Sequence, residues 1–499
     1  MIHKTDPDTI KSYLEDSSNL KGGYADEVVL PENIEELSRF IKESLAAKRP
    51  MTISGGGTAT TGSRVPFGGA VVSLEKFNQI LKVSRTGMFA VVQSGVTVDE
   101  LKKAADREGM FYTCHPTEGT ATVGGTVATN ASGARSFKYG PTRNYVRRLK
   151  MVLANGEVLD LRRGETIVSR GNSRIKLPGG LTLDLPLQAY GMPEVKNASG
   201  YYLKDGMDLI DLFIGQEGTL SVIAEIELAL VKKPAKILSS FIFFDDMGRA
   251  WDFAAEARDL SKKKLPRYAS SAIDALSIEY LDRSALAFLR EQNAGIPQSA
   301  SGAIFFEQET VPGKDEDAAL EEWLALILKH GASLDDTWVA MNEKEAEKFS
   351  GFRHAVPEAV NDIVRNTGYH KYSMDIAVPD DRSREMMKFY SDVFSRQKIR
   401  HVIFGHIGEN QVHVNILPGS SKEEKAAGEL VLEFVRKGVS LGGSVSAEHG
   451  IGKIKHRYLE EMYGTSGVLA MSKIKKALDP GCILGIDNIF PRNLLQNPG

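Results

Sequence analysis

Residues 51–66 read MTISGGGTATTGSRVP, and residues 115–140 read HPTEGTATVGGTVATNASGARSFKYG. Both stretches are dense in glycine. The first leaves the short apolar run MTI, the start of a strand, and enters Gly55-Gly56-Gly57-Thr58. Backbone that approaches a ligand closely needs residues without bulky side chains, and successive N–H groups form a concave anion site. The run therefore predicts a phosphate-binding turn, with a tight turn that binds nothing as the alternative. Two familiar phosphate signatures are absent. Gly-x-Gly-x-x-Gly does not occur here, and Gly57-x4-Gly62 is followed by Ser63-Arg64 where a nucleotide P-loop requires lysine. The second stretch is too rich in Gly, Thr, Ser and Ala to be core, yet it is no low-complexity linker. A second such loop favours ligand binding over coincidence, because packing alone rarely needs both.

Around these loops helices and strands alternate. NIEELSRFIKESL (33–45) sets Ile34, Leu37, Ile41 and Leu45 on one helical face. AVVSL (70–74) and FAVVQSG (89–95) predict strands, VDELKKAADREG predicts a helix ending at Gly109, and YVRRLKMVLANGEVLDL predicts two strands about the Asn155-Gly156 turn. The pattern is that of an α/β domain. The character changes at Lys232-Lys233-Pro234. Beyond it come a strand (237–244), a helix from Ala250, a strand (303–309), and a helix with Leu320, Trp323, Leu324, Ile327 and Leu328 at the spacing of a core-facing stripe. We expect domains over 1–234 and 235–455, the second around a mainly antiparallel sheet. Residues 456–499 form a segment that is helical at first and irregular at its end.

Composition narrows the function. With 62 Lys+Arg against 65 Asp+Glu in 499 residues, the net charge of −3 argues against nucleic acid as the main partner. No apolar stretch approaches the ~20 residues that span a bilayer, and MIHKTDPDTIKSYLEDSSNL has no apolar core of a signal peptide. The two cysteines, Cys114 and Cys482, cannot ligate a four-cysteine iron–sulfur cluster and read as idle thiols of a cytoplasmic protein.

HVIFGHIGENQVHVNIL (401–417) predicts two strands about Gly408-Glu409-Asn410. In the second, Val412, Val414 and Ile416 share one face, which leaves His413 and Asn415 on the other. His406 ends the first strand, where a hairpin brings it beside His413. Glu448 and His449 follow in SVSAEHG. Two imidazoles and a carboxylate can hold a divalent metal with positions open to substrate. Histidines merely hydrogen-bonded within a sheet are the alternative that spacing leaves open.

Read together, SGGGTATTGSRVP (54–66), PTEGTATVGGTVATNASG (116–133), KNASGYYLKD (196–205), FIGQEGTLSVIAEIEL (213–228), SMDIAVP (373–379), GHIGENQVHVNILP (405–418), SAEHGIGKIK (446–455) and ALDPGCILG (477–485) resemble one flavoprotein group in content and order. The chain is similar to vanillyl-alcohol-oxidase-type flavoproteins, in the branch of D-lactate dehydrogenases and the flavin subunit of glycolate oxidase. The resemblance covers nearly the whole sequence. It implies an α+β fold: a two-part FAD-binding domain, a substrate domain, and a C-terminal segment packing back near the flavin. It implies FAD held by Gly55, Gly56, Gly57, Thr58 and Ala59 at the pyrophosphate. Pro116, Gly119, Thr120, Gly124, Gly125, Asn130 and Gly133 would run along the rest of the cofactor, and Glu217, Gly218 and Ile223 would close over the adenine side. Some relatives attach FAD covalently through a histidine or cysteine. The first loop has neither, and Cys114 and His115 stand at the wrong offset, so dissociable FAD is expected. Where the family ends Leu-Asn-Pro-Gly this chain has Leu484-Gly485-Ile486-Asp487, which puts one polar contact near the flavin in doubt.

The resemblance further implies His406, His413 and Glu448 as ligands of a divalent metal, zinc first, with manganese or iron as other fits. His449 would be the general base, Arg353 the clamp on a substrate carboxylate and Asn415 a hydrogen-bonding partner of the substrate. Relatives acting on dicarboxylates often carry Lys where Ser373 stands and Thr where Pro357 stands, so these two departures favour a smaller or less charged substrate. The activity implied is FAD-dependent oxidation of a D-2-hydroxy acid, of the D-lactate or glycolate type, to the 2-oxo acid. Electrons would pass to an external acceptor: an iron–sulfur subunit, a quinone, a cytochrome or an electron-transfer flavoprotein. Peripheral membrane association through a partner and a homodimer are compatible with this reading. Two rivals stand beside it. One is an alkyl-dihydroxyacetone-phosphate-synthase-like flavoenzyme, whose run of catalytic histidines is missing here; the other is a non-catalytic electron-relay subunit, against which the intact His406/His413/Glu448/His449 set argues.

Overall fold

A computed structural model describes residues 1–114, 116, 118–340 and 342–496. The glycine loop leaves the strand Met51–Ser54, which lies at the edge of a four-stranded sheet. Its neighbour there is Ala70–Ser73, followed by Glu27–Leu30 and Ile2–Lys4. Only the Ile2–Lys4 strand runs antiparallel. The helix Ile34–Ala46 packs on this sheet through Leu37, Phe40 and Ile41, with Asn33 as its N-cap. A second sheet of five antiparallel strands orders Ile80–Ser84, Phe89–Gln93, Ser221–Ala229, Val146–Leu153 and Val158–Arg162. Beside it runs the helix Val98–Arg107, whose start is fixed by reciprocal hydrogen bonds between Thr97 and Glu100.

The third sheet, of seven strands, is antiparallel throughout: Trp338–Val339, Lys236–Phe244, Gly302–Thr310, Ala275–Asp282, His401–Gly405, His413–Ile416 and Tyr372–Met374. Alternation along its strands feeds two cores. Ile304, Phe306, Ile278 and Tyr280 join the core that includes Phe253 and Trp323, while Ala303, Phe305 and Leu281 join Leu286, Val356 and Val360 on the other face. After the helical stretch His456–Leu478 the chain returns to the first sheet. Met51 N donates to Ile483 O at 2.6 Å, and Gly485 N donates to Met51 O at 2.9 Å.

Two expectations change. The helix Glu316–Lys329 buries Ala319, Trp323, Leu326 and Ile327, whereas Leu324 and Leu328 are 41% and 57% exposed. Trp323 stacks on Phe306 with ring centroids 3.7 Å apart, which fixes the rotation of the helix and turns the other two leucines outward. The second glycine-dense stretch is also partly core. Val123 and Val127 are fully buried on the short helix Val123–Ala128, because Gly124 packs against Ser94 where no side chain would fit.

Candidate active site

A single cavity of about 600 Å³ runs from the glycine loops to the hairpin histidines. At one end it is walled by Gly55, Gly56, Gly57, Thr58 and Ala59, and then by Pro116, Gly124, Gly125, Gly133, Glu217, Gly218 and Ile223. At the other end stand His406, His413, Asn415, Glu448, His449 and Arg353. Gly119, Thr120 and Asn130 lie outside this lining. Gly119 packs on Asp99, the Thr120 carbonyl backs Gly56, and Asn130 receives the Arg143 backbone N–H at 3.0 Å. His115 lies outside the described residues, and Cys114 and Cys482 are free thiols.

The two glycine loops fit against each other. A Cβ on Gly56 would sit 2.6 Å from the Thr120 carbonyl oxygen, and one on Gly55 would sit 2.6 Å from Thr122 Oγ1. Gly57 has φ +78°, which favours glycine, and a Cβ there would strike the Arg64 guanidinium. Arg64 lines the same end of the cavity. It is held by Nε donating to Ser54 Oγ at 2.7 Å and Nη1 donating to Glu15 O at 3.1 Å. No local motif marks Arg64 beyond its place after the Gly57-x4-Gly62 run. Glu217 reaches across to the C-terminal half, accepting from Ile451 N at 2.8 Å and Gly452 N at 2.7 Å. Asn488 follows directly on Leu484-Gly485-Ile486-Asp487. Its Nδ2 donates to Glu217 O at 2.9 Å and to Ser63 O at 3.0 Å.

At the histidine end the antiparallel pairing sets the geometry. Phe404 pairs with His413 and Ser373 with Asn415, so His413 and Asn415 face the cavity while Val414 and Ile416 go to the core. His406 follows directly, its ring centroid 5.2 Å from that of His413. The candidate ligand atoms of His406, His413 and Glu448 all lie within 4.8 Å of one another. His406 Nε2 is 3.2 Å from Glu448 Oε1, and His413 Nε2 is 3.5 Å from Glu448 Oε2.

Three buried groups that were not singled out beforehand organise this set. Glu279, in the strand Ala275–Asp282, accepts from His406 Nδ1 at 2.7 Å through one oxygen and from Arg353 Nη1 at 2.8 Å through the other. It therefore orients the His406 ring, with Nε2 turned to Glu448, and joins that histidine to the arginine. Burial alone would raise the Glu279 pKa, but the His406 and Arg353 charges override it and hold it at about 2. Lys196 donates to Glu448 Oε1 at 2.6 Å and to Glu409 Oε2 at 2.7 Å. Asp375 accepts the backbone N–H groups of Glu448 and His449 at 2.9 and 3.0 Å and the Lys455 ammonium at 2.6 Å, and its Oδ2 lies 3.4 Å from His449 Nδ1. Each could have been suspected from one signal, a charged residue inside an otherwise apolar strand or next to a recurrent glycine motif: IEYL, SMDIAV and KNASG.

The electrostatics suit a cation. Burial would lower His406, yet the Glu279 and Glu448 carboxylates raise it to about 9. Burial pushes His413 down to about 3, which keeps its imidazole neutral with a lone pair to offer. A buried N/N/O donor set with a carboxylate behind one histidine fits a divalent metal.

Known proteins resemble this chain along nearly its whole length. Residues 25–162 match the FAD binding domain family, and residues 252–486 match the C-terminal domain of FAD linked oxidases. The chain is 30% identical over 461 residues to a D-lactate dehydrogenase of Archaeoglobus fulgidus, covering 92% of this chain and 89% of that protein. It is 28% identical over 473 residues to the glycolate oxidase subunit GlcD of Bacillus subtilis, covering 94% and 89%. It is 26% identical over 500 residues to a D-2-hydroxyglutarate dehydrogenase of Stutzerimonas stutzeri, covering 97% and 95%. Among solved structures, a 4-ethylphenol oxidase from Gulosibacter chungangensis shares the fold with a TM-score of 0.70 at 17% identity, over 99% of this chain and 95% of that one. An alkyldihydroxyacetonephosphate synthase does so with a TM-score of 0.65 at 17% identity, over 98% and 82%.

Proposed function

The chain belongs to the FAD-linked oxidase family of vanillyl-alcohol-oxidase type and is an oxidoreductase, and from that premise we propose that it oxidises a D-2-hydroxy acid to the 2-oxo acid with the help of a divalent metal. The observation that carries the proposal is the convergence of Arg353, Asn415, His449 and the His406/His413/Glu448 set on the cavity that the glycine loops enter.

Gly55 to Ala59, Gly124, Gly125 and Gly218 would hold FAD, with the Arg64 guanidinium as a counter-charge beside the first loop. Bound FAD supplies the two-electron acceptor, and a metal on His406, His413 and Glu448 supplies a Lewis acid for the substrate oxygens. Arg353 takes the substrate carboxylate, a planar bidentate task that a guanidinium suits, and Glu279 holds it in place. Asn415 hydrogen-bonds the substrate from the His413 face of its strand. His449, whose Nδ1 faces Asp375, takes the hydroxyl proton at Nε2 as the hydride leaves Cα. The FAD is dissociable. Its electrons leave to an external acceptor, and among the described residues no helix is long and apolar enough to cross a membrane.

The test is anaerobic addition of D- and L-2-hydroxy acids to the yellow protein, combined with elemental analysis. His406→Ala, His413→Ala and Glu448→Gln lower metal content and flavin reduction together while FAD stays bound. A metal-free enzyme that reduces its flavin at the full rate overturns the metal's part in the reaction.

A further inference from the structure

The cavity continues past the histidines, where Pro357, Lys371, Tyr372, Ser373 and Tyr458 form its wall. Pro357 is one turn along the helix Glu343–Thr367 from Arg353, and Asn361 is one turn further. Lys371 lies two residues before Ser373, the residue paired with Asn415, so it stands roughly 7 Å further along the chain from the site's centre. Its ammonium donates to Asn361 Oδ1 at 2.8 Å, a neutral acceptor.

The charges along this wall are unequal. Arg353 is matched by Glu279 at 2.8 Å and Lys455 by Asp375 at 2.6 Å. Lys371 is half-buried, and no carboxylate among the described residues forms an ion pair with it. Burial alone pulls its pKa below the ordinary lysine value. A cation drawn partly out of water without a counter-charge costs solvation, and the cost is offset when an anion enters the same space.

We propose that Lys371 is a specificity-determining residue that binds a second carboxylate of the substrate, at the end of the molecule away from the hydroxyl carbon. The substrate is then a dicarboxylic 2-hydroxy acid, held at one end by Arg353 and at the other by Lys371. One ammonium beside one amide suits the single charge of a carboxylate. The inference reverses what Ser373 and Pro357 suggest by themselves: the cation is not at the position of Ser373 but two residues before it. It rests on the hydroxy-acid reading above.

The experiment uses the FAD-loaded enzyme with D-2-hydroxyglutarate and with D-2-hydroxypentanoate, which has the same chain length and no second charge. Wild-type kcat/KM favours the dicarboxylate. Lys371→Met raises KM for the dicarboxylate by about 10- to 100-fold, the value of one charge-assisted hydrogen bond. It leaves D-2-hydroxypentanoate within about twofold, and Lys371→Arg keeps most of the preference. Flavin content and Tm show that the variants are folded. Equal losses on both substrates, or a wild type that prefers the uncharged acid, overturn the Lys371 assignment and leave the hydroxy-acid reading standing. Flavin bleached by neither acid, nor by D-lactate, overturns that reading and this one with it.

Discussion

His449 and Gly56 differ in what their side chains do. The His449 imidazole stacks on His413 with centroids 5.3 Å apart and is oriented by Asp375, so its loss removes a proton acceptor and leaves the cavity wall intact. His449→Asn retains FAD and metal and slows flavin reduction by about 10²–10⁴-fold, which stopped-flow measurement at saturating substrate checks. Gly56 acts by having no side chain. Gly56→Val drives a branched Cβ into the Thr120 carbonyl and forces the two glycine loops apart. The purified variant is largely colourless, with a low ratio of flavin to protein absorbance; full flavin occupancy would show that the loops tolerate separation. Both residues were expected at the site because the resemblance to the flavoprotein group assigns them. Lys196 and Asp375 lie in stretches quoted for the same resemblance, yet what they do, like the part played by Glu279, comes from partners distant in the chain. Glu279 lies 127 residues from His406 and Lys196 lies 252 from Glu448, and no local spacing records such encounters.

Helices and strands were readable where periodicity was clear or a turn dipeptide separated two apolar runs. The helix expected over 33–45 is Ile34–Ala46, the one expected from Val98 is Val98–Arg107, and the Asn155-Gly156 turn separates Val146–Leu153 from Val158–Arg162. The helix Glu316–Lys329 shows where periodicity falls short. Its leucines are abundant enough to draw two stripes, and the stack of Trp323 on Phe306 chooses between them. The helix Arg283–Gln292 carries a different consequence. Its N-cap Asp282 accepts the Ala285 N–H at 2.8 Å from a buried position, and burial pushes its pKa up to about 7. The folded state thus binds a proton that the unfolded chain, titrating near 4, has released. Stability from this group is present below the unfolded value and is lost as pH rises from about 4 to 7. Asp282→Asn keeps an acceptor for Ala285 and removes the charge. Its Tm relative to wild type improves between pH 5 and pH 8, as thermal denaturation across that range checks. A constant difference would mean that Asp282 titrates normally.

The molecule as a whole is tied by returns of the chain that composition does not announce. The segment after residue 456 leaves the seven-stranded sheet and closes on the first one, bringing Asn488 to Glu217 and Ile483 to Met51. At the centre of this return Lys475 is 1% exposed. It donates to Thr219 O at 2.6 Å and to Leu484 O at 2.8 Å and pairs with the buried Asp479 at 2.5 Å. One ammonium thus holds the C-terminal chain against the Glu217-Gly218-Thr219 turn that walls the proposed cofactor site. Replacing it strands Asp479, whose Oδ1 already lacks a hydrogen-bond partner. Breaking one side of a buried pair costs about 3–5 kcal/mol, whereas removing both charges is often nearly neutral. Lys475→Met therefore loses stability on that order and releases FAD at temperatures where wild type keeps it, followed by flavin fluorescence during heating. Lys475→Met with Asp479→Asn recovers part of the loss, because no charge is left buried alone. If the double variant is as unstable as the sum of the single ones, the ammonium acts through the Thr219 and Leu484 carbonyls rather than through its partner, and the C-terminal return is held by hydrogen bonds.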